Sequence, residues 1–490
     1  MKQGLADTSA HRRRQVGLVA GLAVAALMLA VGPIADFSQH AWFVAALTIL
    51  MATWWVTDAA PLPVTGLLPI AVLPVMGVGT PSEIAAPYAS PIIFLFLGGL
   101  LIALAVQRWN LHRRIALLIL RMAGQRPDHL VAGFMLGTAL LSMWISNTAT
   151  AAMMLPIGLA VLALVESQRP PEAVENQQRF NVALLLGIAF SANIGGMGTL
   201  IGTPPNALFA AFMAENHDIH IGFAQWMLVG VPVALLLLAL SWWILTRWAF
   251  PLERTDIAGV ADLIERKRKE LGPLSDSERR VLGVLVLTAL AWMLRPWLEE
   301  TLGGVSLSDA GIAMTGAIAL FLIPAAGRGN GPLLVWEATR ELPWGVLVMV
   351  GGGLSLGTAM TSSGLSTELA RYLTGLGVMP VWVIVAAVAA VAMLISHIAS
   401  NTATTATMLP LVSGLALSLG QPPLLLAVAV AMAASCAFML PVATPPNAIV
   451  FASERLRVPD MVRAGARISI VALAIVTLAV FVLAVPVLSP

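Results

Sequence analysis

Charged side chains are scarce in this chain: Asp, Glu, Lys and Arg together make up 11% of its 490 residues, against about a quarter in soluble globular chains. With 59% hydrophobic residues and a mean hydropathy of +0.89, there is too little charge to cover a water-soluble surface. The chain therefore reads as an all-α polytopic membrane protein. Cysteine is nearly absent, and the single Cys436 excludes an internal disulfide and a cysteine metal cluster. No His-Glu-x-x-His stretch occurs, and no Gly-Lys-Ser/Thr follows the one glycine-rich candidate for a phosphate loop, Gly195-Gly196-Met197-Gly198. The net charge is only +2, with the arginines set in short loops, so no nucleic-acid partner is expected. Nor is an enzyme expected, since the most polar stretches inside the apolar runs hold no carboxylate.

What the chain has in abundance is apolar runs. They fall near 16–31, 41–57, 61–79, 91–106, 223–250, 281–297, 307–325, 344–361 and 468–488, with two interrupted runs at 181–213 and 424–451. Taken as crossings these give about 11 transmembrane helices. The head carries Lys2, Arg12, Arg13 and Arg14 before its run, a pattern shared by signal peptides and by first spans of inner-membrane proteins; the second reading is adopted. Residues 251–280 form the one sizeable charged segment, read as a cytoplasmic linker with an amphipathic surface helix.

Two further runs, 130–165 and 380–420, are too long for one crossing. As a single helix, the first would reach ~54 Å at about 1.5 Å per residue, against a hydrocarbon core of about 30 Å. Arg126 and Asp128 precede it and Glu166 and Arg169 follow it, so both ends are aqueous. At its centre stand Ser146-Asn147-Thr148, and at the centre of the second stand Ser400-Asn401-Thr402. Each run is expected to be a re-entrant helical hairpin with its polar tripeptide at the turn, because non-helical backbone at that depth survives only beside protein or a wet cavity. The interrupted runs break at Gly202-Thr203-Pro204-Pro205-Asn206 and at Ala443-Thr444-Pro445-Pro446-Asn447, where paired prolines remove two amide donors. A broken helix beside a re-entrant hairpin points to a binding site at the membrane midplane.

The halves are copies. Ser146 and Ser400, Gly98 and Gly352, and Ala105 and Ala359 all stand 254 positions apart, as expected of an internal duplication. A cytoplasmic N-terminus places Arg108 to Arg126, Arg169, Arg179, Arg247 to Arg280, Arg328, Arg340 and Arg455 to Arg467 inside, leaving only Arg295 and Arg371 outside. The first repeat then makes an odd number of net crossings, so the second starts in the opposite orientation. This gives inverted-topology repeats, a C-terminus outside, and hairpin tips that meet from opposite faces.

The tips, with Ser142 and Ser396 one helical turn earlier, offer hydroxyl and amide oxygens without fixed charge. Such oxygens suit Na⁺, and the same Asn and Thr groups can donate to an anion. Candidate substrate-binding residues are Ser146, Asn147, Thr148, Ser400, Asn401 and Thr402, with Thr203, Thr444 and Pro446 from the broken helices. Duller readings exist for each motif taken singly: Ser and Thr pack many membrane helices, and Thr-Pro-Pro-Asn alone is a turn. Repetition at equivalent places is what favours a site. Gly351-Gly352-Gly353 reads as close helix packing. His397, the one ionisable group near a tip, is a candidate coupling residue or a structural one.

The two Ser-Asn-Thr tips, the Thr-Pro-Pro-Asn segments and the stretch from Ala434-Ser435-Cys436 to Asn447-Ala448-Ile449-Val450 resemble the divalent anion/sodium symporter family over nearly the whole chain. That resemblance implies an elevator-type transporter of dicarboxylates, citrate or sulfate in a bacterial cytoplasmic membrane, working as a homodimer within membrane lipid. It implies scaffold parts at 1–128 and 281–379 and transport parts at 129–250 and 380–490. One Na⁺ would be held by Ser142, Ser146, Asn147 and a carbonyl near Gly195. A second would be held by Ser396, Asn401 and carbonyls near Ala399 and Ala443. Sodium-using members often carry glutamate where this chain has His397. The expectation is Na⁺-coupled symport of C4-dicarboxylates, with sulfate or citrate symport and Na⁺-independent exchange as alternatives.

Overall fold

The computed structural model describes residues 2–34, 37–168, 174–253, 255–326, 331–372 and 379–489; Arg169, Arg254 and Arg328, used above to orient the chain, lie outside them. Among the described residues the chain is helical, with no strand and one isolated bridge between Pro324 and Pro332. The first half runs α1 (Lys2–Val31), α2 (Gln39–Thr57), α3 (Leu62–Gly66), α4 (Leu68–Val72), α5 (Pro81–Ala85), α6 (Pro91–Arg108), α7 (Leu111–Ala123), α8 (Pro127–Ser142), α9 (Asn147–Gln168), α10 (Val174–Gly196), α11 (Pro204–His217) and α12 (Phe223–Trp243). The charged segment holds α13 (Val260–Glu270), which buries Val260 and Ile264 and exposes its charges, as an amphipathic surface helix should. The second half runs α14 (Asp276–Met293), α15 (Arg295–Thr301), α16 (Asp309–Leu322), α17 (Trp344–Ser362), α18 (Leu365–Tyr372), α19 (Val381–Ser396), α20 (Asn401–Ser418), α21 (Pro423–Ala434), α22 (Pro445–Phe451), α23 (Val458–Ala479) and α24 (Val485–Leu488).

The two long runs fold as helix–break–helix. In each, the arms begin and the first arm ends at positions 254 apart: α8 with α19, and α9 with α20. Ser146 and Ser400 fall in the breaks, while Asn147 and Asn401 are already the first helical residues, so each tripeptide straddles the turn and the start of the second arm. Both interrupted runs break where expected. The first leaves α10 at Gly196 and resumes at Pro204, and the second leaves α21 at Ala434 and resumes at Pro445.

Four expected crossings are not single long helices: 307–325 holds the 14-residue α16 and 424–451 divides into α21 and α22, and two more depart further. Residues 61–79 form no single span, because Pro61, Pro63, Pro69 and Pro74 each remove an amide donor and leave only the five-residue helices α3 and α4. The run 281–297 is bent by 78° between α14 and α15, beside Pro296. Eight helices among the described residues are long and apolar enough to cross a membrane, or nine with that bent pair counted. Seven of the eight coincide with expected crossings, and the eighth is the hairpin arm α9.

Residues Val182 to Thr203 and Leu424 to Phe438 are buried without interruption. Helices apolar on every side belong at the centre of a membrane protein, and α10 and α21 are these two pillars. The arms α8 and α9 pack on α10, while α19 and α20 pack on α21. The halves also exchange partners, α9 meeting α22 and α20 meeting α11. The same exchange recurs further out, where α6 packs on α16 and α17 on α3. Each copy thus completes the other.

Close crossings depend on glycine, as read from Gly351-Gly352-Gly353. A Cβ on Gly352 would lie 2.1 Å from the Gly66 carbonyl oxygen where α17 crosses α3, whereas a Cβ on Gly283 in α14 would meet nothing within 4 Å. Gly352→Ala is expected to destabilise the fold by about 1–3 kcal/mol through overpacking. Gly283→Ala is expected to be neutral or stabilising by up to about 1 kcal/mol. Thermal unfolding of both variants in detergent measures the difference, and equal midpoints would contradict this packing.

Candidate functional site

Each Thr-Pro-Pro-Asn motif is a helix start. Proline serves well at the first helical position, where its missing N–H would have no intrahelical partner, and it forces the preceding residue into extended backbone. Thr203 (φ −147°, ψ 142°) and Thr444 (φ −142°, ψ 151°) accordingly precede α11 and α22. Ser146 and Ser400 occupy the corresponding places before α9 and α20. The Ser146 hydroxyl accepts from Ala149 N–H at 3.3 Å and the Thr444 hydroxyl from Asn447 N–H at 3.4 Å, whereas Ser400 and Thr203 make no side-chain cap.

The fourth residue of the motif holds the break together. The Asn206 amide nitrogen donates to the carbonyls of Gly196 (3.1 Å), Met197 (3.3 Å) and Thr199 (2.8 Å). In the second copy the Asn447 amide donates to those of Ala437 (3.2 Å) and Leu440 (3.0 Å). Gly196 and Ala437, Thr199 and Leu440, and Asn206 and Asn447 all stand 241 positions apart, so the clamp is duplicated with the repeat. Thr199 ties the first unwound segment to the first hairpin by donating its hydroxyl to the Met143 carbonyl at 2.5 Å.

These four helix starts face one cavity of about 1170 Å³. All nine residues expected to bind substrate line it: Ser146, Asn147, Thr148, Ser400, Asn401, Thr402, Thr203, Thr444 and Pro446. Ala399 and Ala443 line it too. Nothing at the inner wall carries a charge. The positive ends of helices, each equivalent to about half an elementary charge, and hydroxyl and amide donors make this wall suited to an anion. The charged lining residues Arg13, Arg14, Asp58 and Glu341 are all at least partly exposed, and Arg13 pairs with Asp58 at 2.9 Å.

Ser142, Ser396, Gly195 and His397 are buried and do not line the cavity. The Ser142 hydroxyl donates to the Ala192 carbonyl at 2.7 Å and lies 2.7 Å from the Asn147 side-chain oxygen. That end of the Asn147 amide also meets the Ala192 and Gly202 carbonyls at 3.0 and 3.2 Å. With nitrogen turned there, Asn147 donates to all three groups; with oxygen there, four oxygens converge as a cation requires. Gly195 sits where α10 crosses α8, a Cβ on it falling 2.2 Å from the Ala139 carbonyl oxygen, and its own carbonyl accepts from Gly198 N–H at 2.9 Å. In the second copy, the buried Ser396 hydroxyl and Asn401 side-chain oxygen have no hydrogen-bond partner among the described residues. His397 places Nδ1 2.6 Å from the Met393 carbonyl, which fixes the proton on that nitrogen, and leaves Nε2 buried without a partner.

Sequence reasoning missed Asn193, Ala192, Gly202 and the clamp role of Asn206 and Asn447. Asn193 lines the cavity and donates its amide to the Thr444 hydroxyl at 2.9 Å, joining the two repeats at the site. An Asn inside the long buried apolar stretch of α10, where Ser191 is the other polar side chain, was the available signal. Its counterpart 241 positions on is Ala434, so Thr203 receives no matching bond and the two halves differ here.

A family model described as the sodium:sulfate symporter transmembrane region matches residues 12–488. The chain is 40% identical over 480 residues to the sodium-dependent dicarboxylate transporter SdcS of Staphylococcus saprophyticus, covering 96% of this chain and 92% of that protein. It is 39% identical over 463 residues to SdcS of Staphylococcus aureus, covering 93% and 88%. Its fold is similar to that of the YdaH transporter of Alcanivorax borkumensis (TM-score 0.53, 16% identity, 90% of this chain and 96% of that one). It is also similar to that of MtrF of Neisseria gonorrhoeae (TM-score 0.55, 13% identity, 94% and 98%).

The clamp makes a specific prediction. Asn206→Leu keeps the volume but removes the donor to three buried carbonyls, and is expected to cost about 2–4 kcal/mol. In hydrogen exchange followed by mass spectrometry, peptides covering 196–206 should lose protection while α23 is unchanged. Uniform loss across the chain would mean that Asn206 acts on the whole fold rather than on the break.

Proposed function

The chain belongs to the sodium:sulfate symporter family, and from that premise we propose that it is a secondary active transporter carrying C4-dicarboxylates such as succinate, fumarate and malate across a bacterial cytoplasmic membrane with Na⁺. The observation that carries this reading is the convergence of four uncharged helix starts, two from each repeat, on one cavity. The name sodium-dependent dicarboxylate transporter, borne by relatives that match nearly the whole chain, supports the choice of ion and substrate class.

The chemistry follows from charge. A dicarboxylate entering a wall with no fixed cation loses water and gains hydrogen bonds from Asn147, Thr148, Asn401, Thr402 and Thr444, but its two charges stay uncompensated. Desolvating an ion costs several kcal/mol even after the protein relaxes. Na⁺ ions bound first, one at Ser142, Ser146, Asn147 and a carbonyl near Gly195, the other at Ser396, Asn401 and carbonyls near Ala399 and Ala443, offset that cost. The anion then binds well only to the Na⁺-loaded protein, and this is coupling. The unpartnered oxygens of Ser396 and Asn401 support the second assignment, and the Ser142 hydroxyl with the Ala192 and Gly202 carbonyls, gathered around the Asn147 amide, supports the first.

Movement is proposed as an elevator. The hairpins with α10–α12 and α21–α24 form the carrying unit, 129–250 and 380–490, and α1–α7 with α14–α18 form the scaffold of a homodimer, 1–128 and 281–379. The N-terminus is cytoplasmic, the C-terminus is outside, and the repeats are inverted.

In proteoliposomes, radiolabelled succinate uptake should be saturable and should follow an inward Na⁺ gradient, with no accumulation when K⁺ replaces Na⁺. Fumarate and malate should compete, and sulfate and citrate should not. Uptake that ignores Na⁺ and appears only after preloading with dicarboxylate would establish exchange instead. Asn147→Ala and Asn401→Ala should each lower uptake by more than about ten-fold, because each removes an ion ligand together with a substrate donor, and either one at about 1.4 kcal/mol already accounts for that factor. Near-normal uptake in either variant would refute the site.

A further inference from the structure

A second cavity, of about 390 Å³, lies where the start of α10, the end of α12 and the start of α23 meet. It shares no lining residue with the larger cavity. We propose that it binds the phosphate of an anionic phospholipid headgroup.

Three arginines, Arg179, Arg457 and Arg463, face two carboxylates, Glu175 and Asp460, which leaves one positive charge in excess. Arg179 pairs with Glu175 and Arg457 with Asp460 within their own helical turns, while Arg463 has no partner among the described residues. Exposed pairs of this type hold weakly, and the Glu175 side chain is 80% exposed. A phosphate, which takes two parallel bonds from one guanidinium, can displace it.

The place in the fold favours a lipid. α12 runs on into a π-helical turn, Ile244–Ala249, and Trp243 and Trp248 at this junction are exposed by 50% and 52%, with ring centroids 6.4 Å apart. Tryptophan at the end of a span marks the headgroup level. Trp248 also lines the cavity, and the Arg467 guanidinium lies 4.6 Å over its ring. The Nη1 atom of Arg467 is buried without a partner, so a further cation stands close behind the aromatic wall. Basic pockets between helix ends at headgroup level recruit anionic lipids. The alternative source of the same chemistry is free phosphate from the aqueous side.

The test uses the full chain purified in a non-ionic detergent and examined by native mass spectrometry with added phosphatidylglycerol, phosphatidylcholine or inorganic phosphate. One phosphatidylglycerol per chain should be retained with about a five-fold preference over phosphatidylcholine, which has the same phosphate but whose choline cation is repelled by the excess arginine, a like-charge contact of about that scale in water. Arg463→Gln should abolish the preference, and Glu175→Gln, which removes a competing carboxylate, should strengthen it. Equal retention of both lipids would overturn the proposal, as would a preference untouched by both substitutions. Displacement of the lipid by inorganic phosphate at equal concentration would overturn the lipid assignment in favour of a soluble anion.

Discussion

Inside a bilayer an unpaired amide or carbonyl costs several kcal/mol, and this chain interrupts four helical runs there. Everything at the site depends on how those interruptions are satisfied. Paired prolines at Pro204-Pro205 and Pro445-Pro446 remove the donors that would otherwise be stranded. Asn206 and Asn447 return donors to the carbonyls that unwinding sets free. The breaks are then stable enough to lie next to one another, and the helix starts they create supply positive potential to an inner wall that has no charged side chain. A charged residue would do the same task more strongly, but it would bind an anion with or without Na⁺. In the proposed mechanism a neutral wall makes the anion depend on the cations.

Duplication supplies the geometry, and departures from it matter as much. The two clamps occupy equivalent positions, yet Asn193 bonds Thr444 while Ala434 leaves Thr203 without that bond. In the first copy Ser142 and Asn147 are in contact with each other and with the Ala192 and Gly202 carbonyls. In the second, Ser396 and Asn401 keep unpartnered oxygens. Two similar halves thus differ in their polar surroundings, and His397, with its bare Nε2, is found only on the less satisfied side.

Much of this was legible in the chain. The helix–break–helix form of the two long runs followed from run length against membrane thickness, the breaks in the interrupted runs from adjacent prolines, and the partnership of the tips from the constant shift of 254. The crossing expected at 61–79 was misread because its hydropathy is high although its four prolines forbid a continuous helix; composition outweighed backbone chemistry there. Asn206 and Asn447 were read only as the ends of the helix breaks, because nothing in a linear pattern says that a side chain reaches back ten residues to hold a carbonyl.

The order of residues was enough to establish a helical membrane protein, built as two copies, with polar breaks at four named places. It sufficed because hydrophobic length, proline and repetition are local properties written along the chain. Folding alone settled that the four breaks share one cavity, that Ser142, Ser396 and His397 stand behind its wall, and that Asn193 joins the halves. Those facts arise from α9 meeting α22 and α20 meeting α11, meetings of residues hundreds of positions apart that no local pattern encodes.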